Sequence, residues 1–126
     1  MFGLFKKAPK LEMTFTPRTA VARELAKEIE VAGDLVVTNV GKDAELHDLG
    51  VVLVAGGTRR IDLELPAAWK GAQRIPAGGE LRQAVAWTVK LAAPMRAPAG
   101  ELQLHTTAGG KHEPLARSNK FPLANE

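Results

Sequence analysis

Residues 75–94 read IPAGGELRQAVAWTVKLAAP, and the reading of this stretch decides the fold class. From Leu81 the odd positions are Leu81, Gln83, Val85, Trp87, Val89 and Leu91, and all but Gln83 are large and apolar. The even positions, Arg82, Ala84, Ala86, Thr88 and Lys90, are small or polar. A two-residue period of this kind predicts a long strand with one face on a core. Gly78-Gly79 at its start raises a second reading, a phosphate-cradling loop. A dinucleotide loop needs a strand before its glycines and a helix after them, whose N-terminus meets the phosphates. Here a strand follows, and neither G-x-G-x-x-G nor G-x-x-x-x-G-K-[ST] occurs. The glycines therefore read as a strand-entry turn.

Further strands are expected on either side. Leu11–Phe15 alternates and stops at Pro17. Leu35–Val40 is rich in β-branched residues and runs into the Asn39-Val40-Gly41 turn. Val51–Ala55 is apolar on both faces, as a central strand is, and stops at Gly56-Gly57. Ile61, Leu63 and Leu65 alternate with Asp62 and Glu64 up to Pro66, and Leu102, Leu104 and Thr106 alternate with Glu101, Gln103 and His105. Ala92–Gly100 (AAPMRAPAG) reads as a Pro-rich extended connection. One segment disagrees. Ala20–Ala32 (AVARELAKEIEVA) consists of helix formers, with Val21, Leu25 and Ile29 on one face, Thr19 as cap and Gly33 as stop. Local propensity predicts a short helix there, although Leu25, Ile29 and Val31 also fit a strand. Short strands separated by turns, with no strand–helix rhythm, point to an all-β sandwich of about seven strands. Its expected core is Leu11, Met13, Phe15, Leu35, Val37, Val52, Val54, Ile61, Leu63, Val85, Trp87, Val89, Leu102 and Leu104.

The 126 residues suit one domain, residues 11–126, preceded by a basic and apolar segment, residues 1–10. With no cysteine there is no disulfide framework, thiol nucleophile or thiolate metal site. The net charge of +3 is mild and aromatics are sparse, so no nucleic-acid partner is expected. The start, MFGLFKKAPK, lacks the charged opening and long apolar run of a signal peptide, and no stretch reaches membrane-span length. A cytoplasmic location is the resulting expectation.

Catalytic chemistry is poorly supplied. Ser118 is the only serine, with no G-x-S-x-G around it. Asp43, Glu45 and Asp48, like Glu28 and Glu30, read as solvated faces. The sharper candidate is a metal pair, His105 and His112, flanking Ala108-Gly109-Gly110. A two-residue loop at Ala108-Gly109 sets them directly opposite each other, with Glu113 or His47-Asp48 as further ligands. A loop at Gly109-Gly110 loses the pair, and two ligands alone rarely make a site. A second candidate is the start of the chain, where Phe2, Leu4 and Phe5 precede Lys6 and Lys7, a pattern that docks weakly on an anionic membrane surface or in a partner's groove.

Several of these pieces together resemble the arrestin-like bacterial sporulation-control family: the FxFKK-like start, Gly33–Asn39 as G-x-L-V-V-x-N, the acidic connection KDAELHD at 42–48, and VVLVA at 51–55. IPAGGE at 75–80, followed by the long alternating strand and AAPMRAP at 92–98, resembles that family's entry into a strand leading to Pro-rich extended chain. The resemblance implies an immunoglobulin-like or arrestin-like sandwich and a non-enzymatic adaptor or scaffold holding protein partners at strand edges and loops. It implies no catalytic residues and no cofactor. An exposed sheet edge of this kind accepts a partner strand, or pairs with itself to give a homodimer.

Overall fold

The computed structural model describes residues 9–106 and 114–126. Its strands are β1 (Leu11–Arg23), β2 (Glu28–Asn39), β3 (Ala44–Leu46), β4 (Leu49–Ala55), β5 (Arg59–Leu63), β6 (Gln73–Ile75), β7 (Glu80–Lys90), β8 (Ala99–Thr106), β9 (Ala116–Arg117), β10 (Phe121–Pro122) and β11 (Ala124–Asn125). The only helical element among the described residues is one 3-10 turn, Ala67–Trp69. The first sheet has the order β11-β1-β2-β7, and the second β10-β8-β4-β5 with β9 beside β8. The short pair β3-β6 stands apart from both. The fold is the expected all-β sandwich. The long alternating stretch is β7, with Val85 and Trp87 buried and its even positions exposed. Pro76 to Gly79 forms the entry turn, closed by the Gly79 N–H on the Pro76 carbonyl at 2.8 Å, with Gly78 at φ +78°.

The expected helix over 20–32 is absent. Its residues form a hairpin, with β1 running to Arg23, a turn over 24–27, and β2 starting at Glu28. Lys27 takes φ +51° and donates its N–H to the Glu24 carbonyl at 3.1 Å. Leu25, which the helix reading placed on the buried face, stands at the tip and is 97% exposed. Tertiary pairing overrides local propensity here. Ala20, Ala22, Ile29 and Val31 all turn inward, while Arg23 bridges Glu28 and Glu30 on the outer face at 3.2 and 2.8 Å. Pro17 does not end the first strand either. A register shift between Pro17 and Thr19 inserts one residue into β1. Before it Met13 and Phe15 face the core; after it Ala20 and Ala22 do. The bulge reconciles the two parities with β2, whose odd positions face inward throughout.

Every residue of the expected core is buried or packed against it, with Leu11 and Val89 only partly covered. Val52 and Val54 are buried outside the main cluster, which takes Val51, Leu53 and Ala55 from the other face of β4. At the centre, the Phe15 and Phe121 rings lie 5.0 Å apart, tilted by 58°. Each rests on a glycine. A Cβ on Gly33 would lie 2.9 Å from the Phe15 ring and 2.2 Å from the Thr16 carbonyl oxygen, and one on Gly100 would lie 3.2 Å from Phe121.

Residues 114–126 seal the side of the sandwich between β8 and β1. Asn119 imitates a strand: its Oδ1 accepts the Phe15 N–H at 2.8 Å and its Nδ2 donates to the Phe15 carbonyl at 3.0 Å. Asn125 treats Ala97 the same way, at 3.0 Å in both directions. β11 runs parallel to β1 at Val21 and Ala22, and the Glu24 N–H reaches the Glu126 carbonyl at 2.8 Å. A third asparagine, Asn39, is fully buried and ties the β3-β6 end to the first sheet. Its Nδ2 donates to the carbonyls of Lys42 and Ile75 at 2.7 and 2.8 Å, and its Oδ1 accepts the Gly41 N–H.

Asn39→Leu strands two carbonyls and one N–H, so urea denaturation should show a loss of about 2–4 kcal/mol. Gly33→Ala should cost about 1–3 kcal/mol by overpacking, because backbone sets the clash. Gly50→Ala, where an added Cβ meets nothing within 4 Å, should stay within about 0.5 kcal/mol of wild type in the same assay.

Candidate functional site

β7 is the last strand of the first sheet and pairs only with β2 among the described residues. The direction of its backbone follows from its ends. The Leu91 N–H donates to the Lys27 carbonyl at 2.7 Å, and the Gly79 carbonyl accepts the Asn39 N–H at 2.9 Å, so odd positions point their backbone at β2. Both polar groups of a residue in an antiparallel ladder point the same way, and successive residues alternate. Arg82, Ala84, Ala86, Thr88 and Lys90 therefore turn their N–H and C=O groups away from the sheet. The Gln83 amide curls back onto the Ala84 carbonyl at 3.1 Å. A groove of about 230 Å³ runs along this edge, between Gln83–Trp87 and the chain over Glu64–Ala67. The Trp87 indole N–H anchors that crossing chain through the Glu64 carbonyl at 2.7 Å.

Proteins commonly defend such an edge with lysine or arginine, whose charge is costly to trap between strands. β7 carries Arg82 and Lys90, but each is neutralised within its own sheet. Arg82 Nη2 lies 3.1 Å from Glu80, and Lys90 Nζ lies 2.9 Å from Glu28. Glu28 also meets Arg23, so its row on the outer face reads Arg23, Glu28, Lys90, with alternating sign. Lys90's hydrogen bond is the chief cause that holds the Glu28 carboxyl below the usual carboxylate range, against the opposing effect of burial. The other sheet edges differ. β1 is covered by residues 119–126, and β5 is only five residues long, with Arg59, Arg60 and Asp62 along it.

His105 lies on the outer face of the second sheet. Arg60 reaches from β5, where it pairs with Val54, across β4 to place Nη1 3.5 Å from Gln103 Oε1 and Nη2 3.3 Å from His105 Nε2. Gln103 Oε1 and His105 Nε2 are 3.0 Å apart. A guanidinium beside this nitrogen is a poor neighbour for a cation. His112, Glu113 and the Ala108-Gly109-Gly110 turn lie outside the described residues. His47 and Asp48 are on the β3-β4 connection, where His47 bonds Glu45 at 2.9 Å. Among the described residues no three histidines, cysteines or carboxylates gather as a metal site would require. A second groove, of about 370 Å³, opens on this face beside Gly56, Gly57, Gly100, Arg117 and Lys120. Phe2, Leu4, Phe5, Lys6 and Lys7 lie outside the described residues. No described helix is long and apolar enough to cross a membrane.

Neither a family model nor a curated protein matches this chain. Among solved structures, the X-ray structure of Northeast Structural Genomics Consortium target SoR45 is similar over 95% of this chain and 90% of its own. The TM-score is 0.53 at 10% identity, a likeness of fold alone.

The alternation along β7 was readable in the sequence; that no described strand pairs with its far edge was not. A strand's neighbours are set by residues distant in sequence, and Glu28 and Lys90 meet only because β2 lies beside β7. Because the folded carboxyl of Glu28 titrates below its unfolded value, its contribution is complete above the ordinary carboxylate range and is lost as pH falls through the folded value. Chemical denaturation at a series of pH values should therefore show a shallower acid-side loss of stability for Glu28→Gln than for wild type.

Proposed function

We propose that the protein is a non-enzymatic interaction module of the cytosol that binds an extended partner segment along the free edge of β7. The observation that carries this reading is an eleven-residue strand with no second strand on its outer edge among the described residues and both of its cations already neutralised. A segment laid beside it gains backbone hydrogen bonds from Arg82, Ala84, Ala86 and Thr88. Alternate side chains of the segment then face the groove beside Glu64–Ala67. The resemblance to arrestin-like adaptors agrees with this reading.

Ala86→Pro tests the proposal. It deletes an outward N–H and leaves the β2-β7 ladder complete, as proline on an edge strand can. Peptides selected from a displayed library of random extended heptamers on wild-type protein at nanomolar concentration should bind the variant at least about tenfold more weakly, the cost of one or two lost hydrogen bonds. The far-ultraviolet circular dichroism spectrum should stay that of wild type. Equal binding by the variant, or a selection that yields no binder, removes the proposal.

A further inference from the structure

Resting on the reading of β7 as a strand-accepting edge, we propose that its partner is a second copy of this chain, paired antiparallel to β7 about a two-fold axis at Val85. Two copies of one strand can meet in several registers, and the charges of β7 select among them. Outward-facing backbone groups sit at even positions, so even residues must face even residues. With the axis at Val85, Glu80 faces Lys90 of the other copy, Arg82 faces Thr88, and Ala84 faces Ala86. On the outer face, the row Arg23, Glu28, Lys90 then continues into Glu80 of the other copy. Signs alternate across the junction, extending the ion pairs already present at 3.2 and 2.9 Å. The small side chains of Ala84 and Ala86 sit at the centre, where bulk on either side of the junction would crowd.

Shifting the axis by one residue spoils the match. With the axis at Ala86, Lys90 faces Arg82 of the other copy, and like charges directly opposite are unfavourable. With the axis at Ala84, Arg82 faces Ala86, Glu80 faces Thr88, and Lys90 has no opposite residue within β7. The inner face also favours Val85. Leu81 faces Val89, Gln83 faces Trp87, and Val85 faces itself. Leu81 and Val89 are only partly covered in the single copy and gain an apolar neighbour. The product is one continuous sheet through both sandwiches. A contact of one strand pair is smaller than a standard stable interface, so the dimer should dissociate at about micromolar concentration.

The chain has no cysteine, so single-cysteine variants read the register directly. At the two-fold axis two copies of one residue face each other, with Cα atoms about 4.5 Å apart in a non-hydrogen-bonded pair, within disulfide reach. Under mild oxidant Val85→Cys should cross-link to a covalent dimer faster than Ala84→Cys or Ala86→Cys. Faster linkage by either of the latter overturns the register. Sedimentation equilibrium supplies an arm that does not depend on a substituted core position. Wild type should dimerise, Ala86→Pro should raise the dissociation constant at least tenfold, and Lys90→Glu should weaken association that the further change Glu80→Lys restores. A wild type that stays monomeric at several hundred micromolar, or a dimer indifferent to Ala86→Pro, overturns the proposal. If selected heptamers still bind β7 in that case, the edge reading stands and only the second copy is removed.

Discussion

The contact between the Phe15 and Phe121 rings underlies the rest of the structure. Phe15 comes from the first sheet and Phe121 from the segment that closes the second, so the pair fixes both the spacing of the layers and the course of residues 114–126. Each ring needs a glycine beneath it, because a side chain at Gly33 or Gly100 would occupy the ring's place. Once Phe121 is seated, Asn119 and β11 fall on the outer edge of β1, Asn119 hydrogen-bonding Phe15 and β11 pairing with Val21 and Ala22. One edge of the first sheet is thereby closed from within. The opposite edge, β7, has no second strand beside it among the described residues, and the functional reading follows from that asymmetry.

Three asparagines take over where regular pairing stops. Asn119 and Asn125 each present an amide in the geometry of a peptide group, donor and acceptor together, to both polar groups of one backbone residue, Phe15 and Ala97. Asn39, fully buried, joins the loop at Gly41 and Lys42 to the end of β6 at Ile75. No other uncharged side chain but glutamine carries a donor and an acceptor in this arrangement, and glutamine's longer stem holds it less firmly. The irregular ends of the sandwich are thus joined by side chains that behave as pieces of backbone.

What the sequence disclosed and what it hid divide along physical lines. The strands β5, β7 and β8 follow from alternation within a few residues and β4 from a short unbroken apolar run, and the expected core residues follow from the same patterns. The hairpin at residues 20–32 was hidden because its residues favour a helix locally, and only the inward parity of Ala20, Ala22, Ile29 and Val31 against a second layer outweighs that preference. The bulge at Pro17 was hidden for a related reason: proline alone signals an end, and the compensating glycine lies on another strand. The two-residue strands β9, β10 and β11 are too short to have a period at all. For the candidate site, the strand was legible and its vacancy was not.

The Phe15 N–H finds its acceptor at Asn119, a separation of 104 residues. A nascent chain therefore makes Phe15 104 residues before Asn119, and the outer edge of β1 lacks that partner while the residues between them are made. Both edges of the first sheet are open in that interval, β1 to the partner not yet made and β7 to its neighbours in solution. Late closure of so distant a pairing slows folding. It also makes the interval before residues 119–126 dock the period in which a polysome is most exposed to mispairing between neighbouring chains.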